Sequence, residues 1–453
     1  MPATCRGHIN DFFIFKTTKT FAMVPVQQAA WPLWRKILFR YFFIYLGLNI
    51  APWTWLDRIP YVEYVTKYYD QLLNWAVNLS NAKIFHVRKV LVPINGSGDT
   101  SYGWAQVSLF LSITAIGCLV WSILDRNRRS YTQLNYWLCL FTRYNIALVA
   151  FTYGIMKLFA LQMPFPSESM MATSLGDLLP MRLSWVFLGY SSPYQIFSGA
   201  MEVLVGVLLL YRRTATLGAI VGTAVFTNVM LLNLAYDIPV KIFSMHIVLM
   251  CLFLLVNEYN RIVCFFVLNK PANNCTIYNF NFTKRWMRLT RIVLKTLFIL
   301  VAVGWVFYSC YGWYKEVNIV SEPRPLKTGV YDVTVFAVNS DTLPPLLTDT
   351  LRWQDLIIDN AVGGTIKTSD TAFRQIYRRA YFRYGWNSYS QSIVFKNFAG
   401  DTVARFHCQI ADSSTVILTG KKRSDSLYVV LKRSNRHFQL AERQFHWLSE
   451  YNR

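Results

Sequence analysis

Charge is what this chain has least of. Asp, Glu, Lys and Arg together make up 15% of its 453 residues, where a soluble domain carries about 25%. Acidic residues are the scarcer kind, 24 against 46 basic ones. The shortfall is uneven, because apolar residues gather into runs of roughly 20, the length at which a helix crosses a ~30 Å hydrocarbon layer. That pattern excludes an ordinary soluble domain and reads as a multi-pass α-helical membrane protein. No Gly-rich phosphate loop and no basic-aromatic motif accompanies the formal net charge of +22, so nucleic acid is not an expected partner. The bases fall instead in short segments between apolar runs, where they set topology.

Cysteine chemistry is also missing. The eight cysteines, at 5, 118, 139, 251, 264, 275, 310 and 408, form no CxxC, no CxxCH and no metal-ligand spacing. A resident haem, a thiol redox centre and a bound metal are therefore not expected, and no Rossmann fingerprint supplies a nucleotide cofactor. Cys118, Cys139, Cys251 and Cys264 lie in or against apolar runs, as small hydrophobes do. A Cys310–Cys408 bridge is admissible if both face an oxidising compartment. The first 21 residues, MPATCRGHINDFFIFKTTKTF, lack the apolar core and small-residue cleavage site of a signal peptide, and Met23 is a second candidate start.

What is present divides the chain. Residues 1–36 form a cytoplasmic N-terminal segment. Two spans, about 37–57 and 103–124, and the outer loop between them fill 37–140; YVEYVTKYYDQLLNWAVNLS in that loop is amphipathic and suits the membrane surface. Four spans follow within 141–257, at about 141–163, 193–211, 215–236 and 239–257, with 132–140 before them read as interfacial. A basic cytoplasmic segment covers 258–291, and a final span 292–314. Arg35/Lys36, Arg126/Arg128/Arg129, Arg212/Arg213 and Lys284/Arg285/Arg288/Arg291 all fall on one side of this drawing. The positive-inside rule then puts the N-terminus in the cytoplasm and the C-terminus outside the cell membrane. Residues 322–453 change character to about eight short alternating strands separated by turn residues, an extracytoplasmic β-meander, open or closed into a barrel. The aromatic residues of the C-terminal HFQLAERQFHWLSEYNR are expected in its core or as a plug.

Ionisable groups inside spans are costly and need partners or a water-filled cavity. Arg143 stands near the cytoplasmic start of its span and reads as structural. Lys157, Glu202, Asn228 and His246 gather in the outer half of the bundle. They admit two readings: a buried Lys157–Glu202 pair with a separately satisfied His246, or a polar pocket for a lipid-soluble ligand. In the turn YDIPVK, Pro239 suits a first helical turn. Asp237 is expected to accept from that helix's free N–H groups and Lys241 to extend its ammonium to the interface. Gly199 with Gly206, and Gly218 with Gly222, are expected to let the fourth and fifth spans approach closely. The loop 164–191 carries apolar residues at helical spacing after Pro180 and could cover the outer mouth of the bundle.

The stretch from Arg143 to about Leu255 resembles the DoxX-like family of small membrane proteins. The resemblance lies in Arg143 with RYNIALVAFTYGIMKLF (Gly154, Lys157), SGAMEVLVGVLLLYRRT (Gly199, Glu202, Gly206), TATLGAIVGTAVF and KIFSMHIVLMCLFLLV. It implies a four-helix bundle over about a quarter of the chain. Some members of that family are subunits linked to quinone reduction, including the small subunit of an archaeal thiosulfate:quinone oxidoreductase; others assist maturation of redox enzymes. The resemblance transfers no catalytic residue. This chain departs from it by three added spans, a long outer loop and the β domain. A looser likeness of architecture is to the membrane domain related to vitamin K-dependent carboxylase.

Two functions follow as expectations. One is a quinone-linked oxidoreductase component in which Lys157, Glu202, Asn228 and His246 contact the quinone and a redox partner supplies electrons. The other is a non-enzymatic anchor that presents the β domain to an envelope partner. A small-solute carrier is less favoured, because no inverted repeat is evident.

Overall fold

The computed structural model describes residues 30–58, 63–94, 98–271, 284–318, 326–346, 349–359, 363–443, 446–448 and 450. The possible start at Met23, Cys5 and Cys275 lie outside them. Eleven helices are labelled here: α1 (Leu33–Ile50), α2 (Glu63–Ser80), α3 (Ser101–Leu124), α4 (Thr132–Leu158), α5 (Glu168–Met171), α6 (Pro180–Tyr190), α7 (Ser192–Leu210), α8 (Ala215–Ala235), α9 (Lys241–Asn257), α10 (Tyr259–Phe266) and α11 (Arg285–Asn318). Among the described residues, α3, α4, α7, α8 and α11 are each long and apolar enough to cross a membrane. The pair α9–α10, bent by 75°, makes a sixth if counted as one span.

The apolar surface points outward as well as inward. On α3, Ile113, Ile116, Leu119, Val120, Ile123 and Leu124 are all exposed. In water each such side chain would forgo roughly 1.5–3 kcal/mol of burial, whereas a hydrocarbon solvent removes that loss. α1 is more mixed, with Arg35, Lys36 and Arg40 in its first half. It stops at Ala51, which has φ 37°, so the expected run to 57 is cut short and continues as a 3₁₀ turn, Pro52–Arg58. Residues 132–140, read as an interfacial segment before the span, are continuous with it as the first turns of the 27-residue α4.

α4 is the central helix. It buries Ile146, Ala147, Ala150, Phe151 and Ile155 against Val205 and Leu209 of α7 and Ile247, Met250 and Cys251 of α9. The spacing of three and four between the α4 residues is the stripe that one helix face presents. α8 packs between α7 and α9, which completes the four-helix group.

The last third is all antiparallel. Its strands are β1 (Gly329–Val338), β2 (Asp341–Thr342), β3 (Asp355–Ile358), β4 (Gly363–Ile366), β5 (Arg374–Ile376), β6 (Arg379–Asn387), β7 (Ser392–Lys396), β8 (Thr402–Ile410), β9 (Thr415–Lys422) and β10 (Asp425–Arg433). Eight of them run as a meander, and β10 pairs with β1, so the sheet closes into a barrel. β2 and β5 are short hairpin partners of β1 and β6. The interior is filled: Trp353 stacks on Phe395 with centroids 6.1 Å apart, Phe395 stacks on Phe382 at 4.3 Å, and Phe336 lies 5.6 Å from Trp353. Eight strands leave an interior that side chains can fill. Of the C-terminal aromatics expected in the core or as a plug, Trp447 is 91% exposed, and Phe445 and Tyr451 lie outside the described residues. Cys310 and Cys408 are both free thiols, so the admissible bridge is absent. Cys408 lies in the barrel core, where burial pushes its thiol up to about 11.

Candidate functional site

The helices α4 and α7 cross at two glycines. A methyl on Gly199 would sit 2.6 Å from the carbonyl oxygen of Gly154, and one on Gly154 would sit 2.9 Å from that of Gly199. Both positions therefore need glycine for the backbones to meet. Three residues further along each helix stand Lys157 and Glu202. Helical side chains lean toward their own N-terminus, so in this antiparallel pair the two lean toward each other. They form a direct ion pair, with both side chains buried. Glu202 Oε2 has no hydrogen-bond partner among the described residues.

The other expected members of this site go elsewhere. His246 is held by α1: its Nε2 lies 2.8 Å from the Tyr45 hydroxyl, and its Nδ1 lies 2.6 Å from the Ile242 carbonyl oxygen. A carbonyl only accepts, so Nδ1 carries the proton and Nε2 accepts from Tyr45. Asn228 is exposed on α8. Arg143 is structural, donating from Nε and an Nη to the Leu209 carbonyl at 3.0 and 2.7 Å, where it caps the end of α7. Of the glycines, Gly218 and Gly222 do bring α8 close to α7, Gly222 at Val205, while Gly199 and Gly206 serve a different helix from the one expected. Gly199 and Gly206 face α4, at Gly154 and Phe151, while Gly218 faces Leu208 and Leu209 of α7.

The turn before α9 carries a further correction. Its free N–H groups are capped by Asp99, not by Asp237: Lys241 N and Ile242 N donate to the Asp99 carboxylate at 2.7 and 2.9 Å. Asp237 has a left-handed backbone, φ 51°, and accepts instead from Lys241 Nζ at 2.6 Å. Lys241 thus joins Asp237 and, at 3.8 Å, Asp99, rather than extending freely. A buried Arg40 was not foreseen either. It donates to the Tyr131 hydroxyl, Ser122 Oγ and the Asp125 carbonyl at the end of the bundle far from the barrel.

The second polar cluster joins helices to barrel, and sequence reasoning did not anticipate it. The loop 164–191 does not cover the bundle alone; it docks on the barrel. Its one-turn helix α5 places Ser169 fully out of solvent against β3 and β4. Ser169 N donates to Asp359 Oδ1 at 3.0 Å, and Thr365 Oγ1 donates to Ser169 Oγ at 2.8 Å. Arg379 Nε donates to Thr365 Oγ1 at 2.8 Å, and its guanidinium grips both oxygens of Asp355. Alongside, Arg378 pairs with Asp177 at 3.0 Å and Arg182 donates to the Tyr377 hydroxyl at 3.3 Å. Tyr377 and Arg378 form the two-residue turn between β5 and β6, with φ of 53° and 57°. Positive φ at both centres matches the twist of a tight hairpin but is strained for side chains other than Gly or Asn, and both of these residues serve the docking contact.

Burial dominates the electrostatics of this junction. It pushes the Asp359 carboxyl above its usual range, partly offset by hydrogen bonds from Ser169 and Ser167 and by Arg379. Burial, then the charge of Asp359, likewise raises the Tyr381 phenol. The Tyr381 hydroxyl is buried with no hydrogen-bond partner among the described residues.

No family model matches the chain, and no solved structure matches it. A stretch of 73 residues is 44% identical to the uncharacterized protein YwoB of Bacillus subtilis (strain 168). The match covers 16% of this chain and 47% of that protein, so the chain spans about half the length of the curated relative it matches.

Proposed function

We propose that the chain is a seven-span membrane protein whose α4, α7, α8 and α9 form a DoxX-like bundle. The N-terminus is cytoplasmic, and the bundle holds the β-barrel rigidly in the extracytoplasmic space and presents it to a partner there. The observation that carries this reading is the docked loop, in which Ser169 is locked between Asp359 and Thr365. A tethered domain on a free linker has no use for such a junction. The distribution of bases supports the orientation. Arg128, Arg129, Arg212 and Arg291 cluster at the end of the bundle away from the barrel, beyond or at the ends of apolar helices. The stripe Tyr64, Tyr68, Leu72, Trp75 and Leu79 on α2 is exposed and suits a helix lying in the membrane interface. A filled barrel interior leaves the outer wall and loops as the surface for recognition.

The test is labelling of single introduced cysteines, in a background without Cys5 and Cys275, by a membrane-impermeant maleimide. Tyr389→Cys, at a barrel site 99% exposed, reacts in intact cells; Arg128→Cys reacts only after permeabilisation. The reverse pattern removes the proposal.

A second reading, a quinone-linked component, rests on Glu202 Oε2. A hydroquinone hydroxyl would donate to that oxygen beside the Lys157 ammonium, with electrons supplied by a redox partner. Mass spectrometry of lipid co-purified with wild type and with Lys157→Ala/Glu202→Ala tests it. An isoprenoid quinone enriched in the first and lost in the second supports the reading; bulk phospholipid in both removes it.

A further inference from the structure

We propose that the outer wall of β6–β9 binds a linear polyanion of the extracytoplasmic space. This inference rests on the reading of the barrel as an extracytoplasmic presenting domain and names its partner class. Four consecutive strands of the barrel contain no Asp or Glu at all. Their outward positions carry Arg383 on β6, Lys396 on β7, Arg405 on β8 and Lys421 on β9, all exposed. The register sets them against one another, with Arg383 directly opposite Lys396 and Arg405 directly opposite Lys421. Like charges directly opposite on neighbouring strands destabilise a sheet. Val394 faces Arg405 across the β7–β8 pair, which leaves Lys396 and Arg405 as diagonal neighbours. The four cations thus form a continuous stripe about 15 Å long at ~4.8 Å per strand, running across the strands.

Two ordinary explanations fail. Bases on a strand often guard an open sheet edge against pairing, but this sheet is closed and β6–β9 are interior strands. Nor does the fold lack the means to neutralise a base. Arg379 at the start of β6 has Asp355, and Lys422, next in sequence to Lys421, has Asp370. The four outward cations have no acidic partner among the described residues. Arg383 is moreover held in place: its guanidinium and that of Arg374 lie 5.4 and 5.2 Å from the ring centroid of Phe398, which is 41% exposed. Unneutralised cations at successive strand spacings, with Arg383 held in place, match a flexible chain of repeating anionic groups laid across the barrel.

The experiment uses the full-length protein in nanodiscs of zwitterionic lipid, with long-chain inorganic polyphosphate as the fluorescent probe, titrated from about 50 to 300 mM salt. Four engaged cations predict a slope of log affinity against log salt near −3, by the counterion-release factor of about 0.7 per contact for flexible strands. The variant Arg383→Gln/Lys396→Gln/Arg405→Gln/Lys421→Gln is expected to bind at least about tenfold more weakly at the lowest salt, with a nearly flat slope. Its barrel melts at the same or a higher temperature, because opposed like charges have gone. Arg383→Lys/Arg405→Lys keeps binding. Unchanged affinity in the glutamine variant overturns the proposal, as does wild type that ignores polyphosphate but binds phosphatidylglycerol vesicles, since the face would then lie on a membrane. Tyr389→Cys labelling separates the two failures. An outward barrel that binds no polymer removes only this inference, whereas an inward barrel removes the presenting role as well.

Discussion

The bundle and the barrel each bury an ion pair, and they finish the task differently. Arg379 meets both oxygens of Asp355 and still donates to Thr365; the pair is geometrically complete. Lys157 meets one oxygen of Glu202 and leaves the other buried without a hydrogen-bond partner. A completed pair at the foot of a strand acts as a fastener. A pair with a spare acceptor in the middle of a helix crossing retains the capacity to take a proton, a water or a ligand hydroxyl. The contrast places structural chemistry at the junction and leaves open chemistry in the bundle.

The largest expected effects come from breaking either pair on one side. Arg379→Ala strands Asp355 and should destabilise the barrel by about 3–5 kcal/mol, read as a drop in its melting temperature. Lys157→Ala strands Glu202 on a similar scale. Replacing both partners by apolar residues separates the two sites. Lys157→Met/Glu202→Leu is expected to restore bundle stability to within about 1 kcal/mol of wild type, because no charge remains buried. Arg379→Met/Asp355→Leu restores less, since Thr365 loses its donor and the link to Ser169 is disturbed. Equal recovery at both sites would erase the distinction.

Next in size is the helix crossing. Gly199→Ala places a methyl within 2.6 Å of a backbone carbonyl oxygen that cannot turn aside. Overpacking of this kind costs about 1–3 kcal/mol, and it also moves Lys157 away from Glu202. Gly176→Ala, where an added methyl meets nothing within 4 Å, should be silent in the same melting assay. A smaller loss, about 0.5–2 kcal/mol, is expected for Asp99→Ala, which removes the cap of α9. Asp237→Ala should fall below it, because the one polar partner of the Asp237 carboxylate among the described residues is the Lys241 side chain.

These positions also mark what the sequence could reveal. The apolar runs are long relative to their few charges, so α3, α7, α8 and α9 were legible to within about two residues, whereas the ends of α1, α4 and α11 differ from expectation by about four to nine residues and α10 was not expected as a helix. Lys157 and Glu202 were legible as a pair because each is an ionisable group inside a span, and such a group needs a partner. Asp99 was not, since it caps a helix 142 residues away and nothing local distinguishes it from a loop acid. β6 is the strand least legible in the sequence, because two Arg residues interrupt RAYFRYGWN. Its inward Ala380, Phe382 and Tyr384 do alternate, a signal that the charges on the outer wall obscure. The Ser169–Asp359 contact spans 190 residues and depends on how two folding units meet, which periodicity cannot express. His246 was legible as a group that needs a partner, but its partner, Tyr45, lies 201 residues away on another helix, which no local pattern names.

The smallest expected effect tests the junction by pH. Burial holds the Asp359 carboxyl above its usual range in the docked state, and Glu168 beside it is raised by burial and by Asp359 in the same direction. An acid with a raised docked-state pKa holds its proton more tightly docked than free. Docking is therefore strongest below the free carboxyl's ordinary value of about 3.9. It weakens as pH rises through the raised value and is level above that. Asp359→Asn keeps an acceptor for Ser169 N–H while removing the buried charge. Its docking should match wild type in acid, exceed it at neutral pH, and follow a flatter profile in which only the share of Glu168 remains. Hydrogen-exchange protection of the α5 amides, corrected for the intrinsic pH dependence of exchange, gives the readout. A variant less protected than wild type at neutral pH would mean that the ionised carboxylate's hydrogen bond to Ser169 outweighs its burial cost, making this junction as completely satisfied as the Arg379–Asp355 pair next to it.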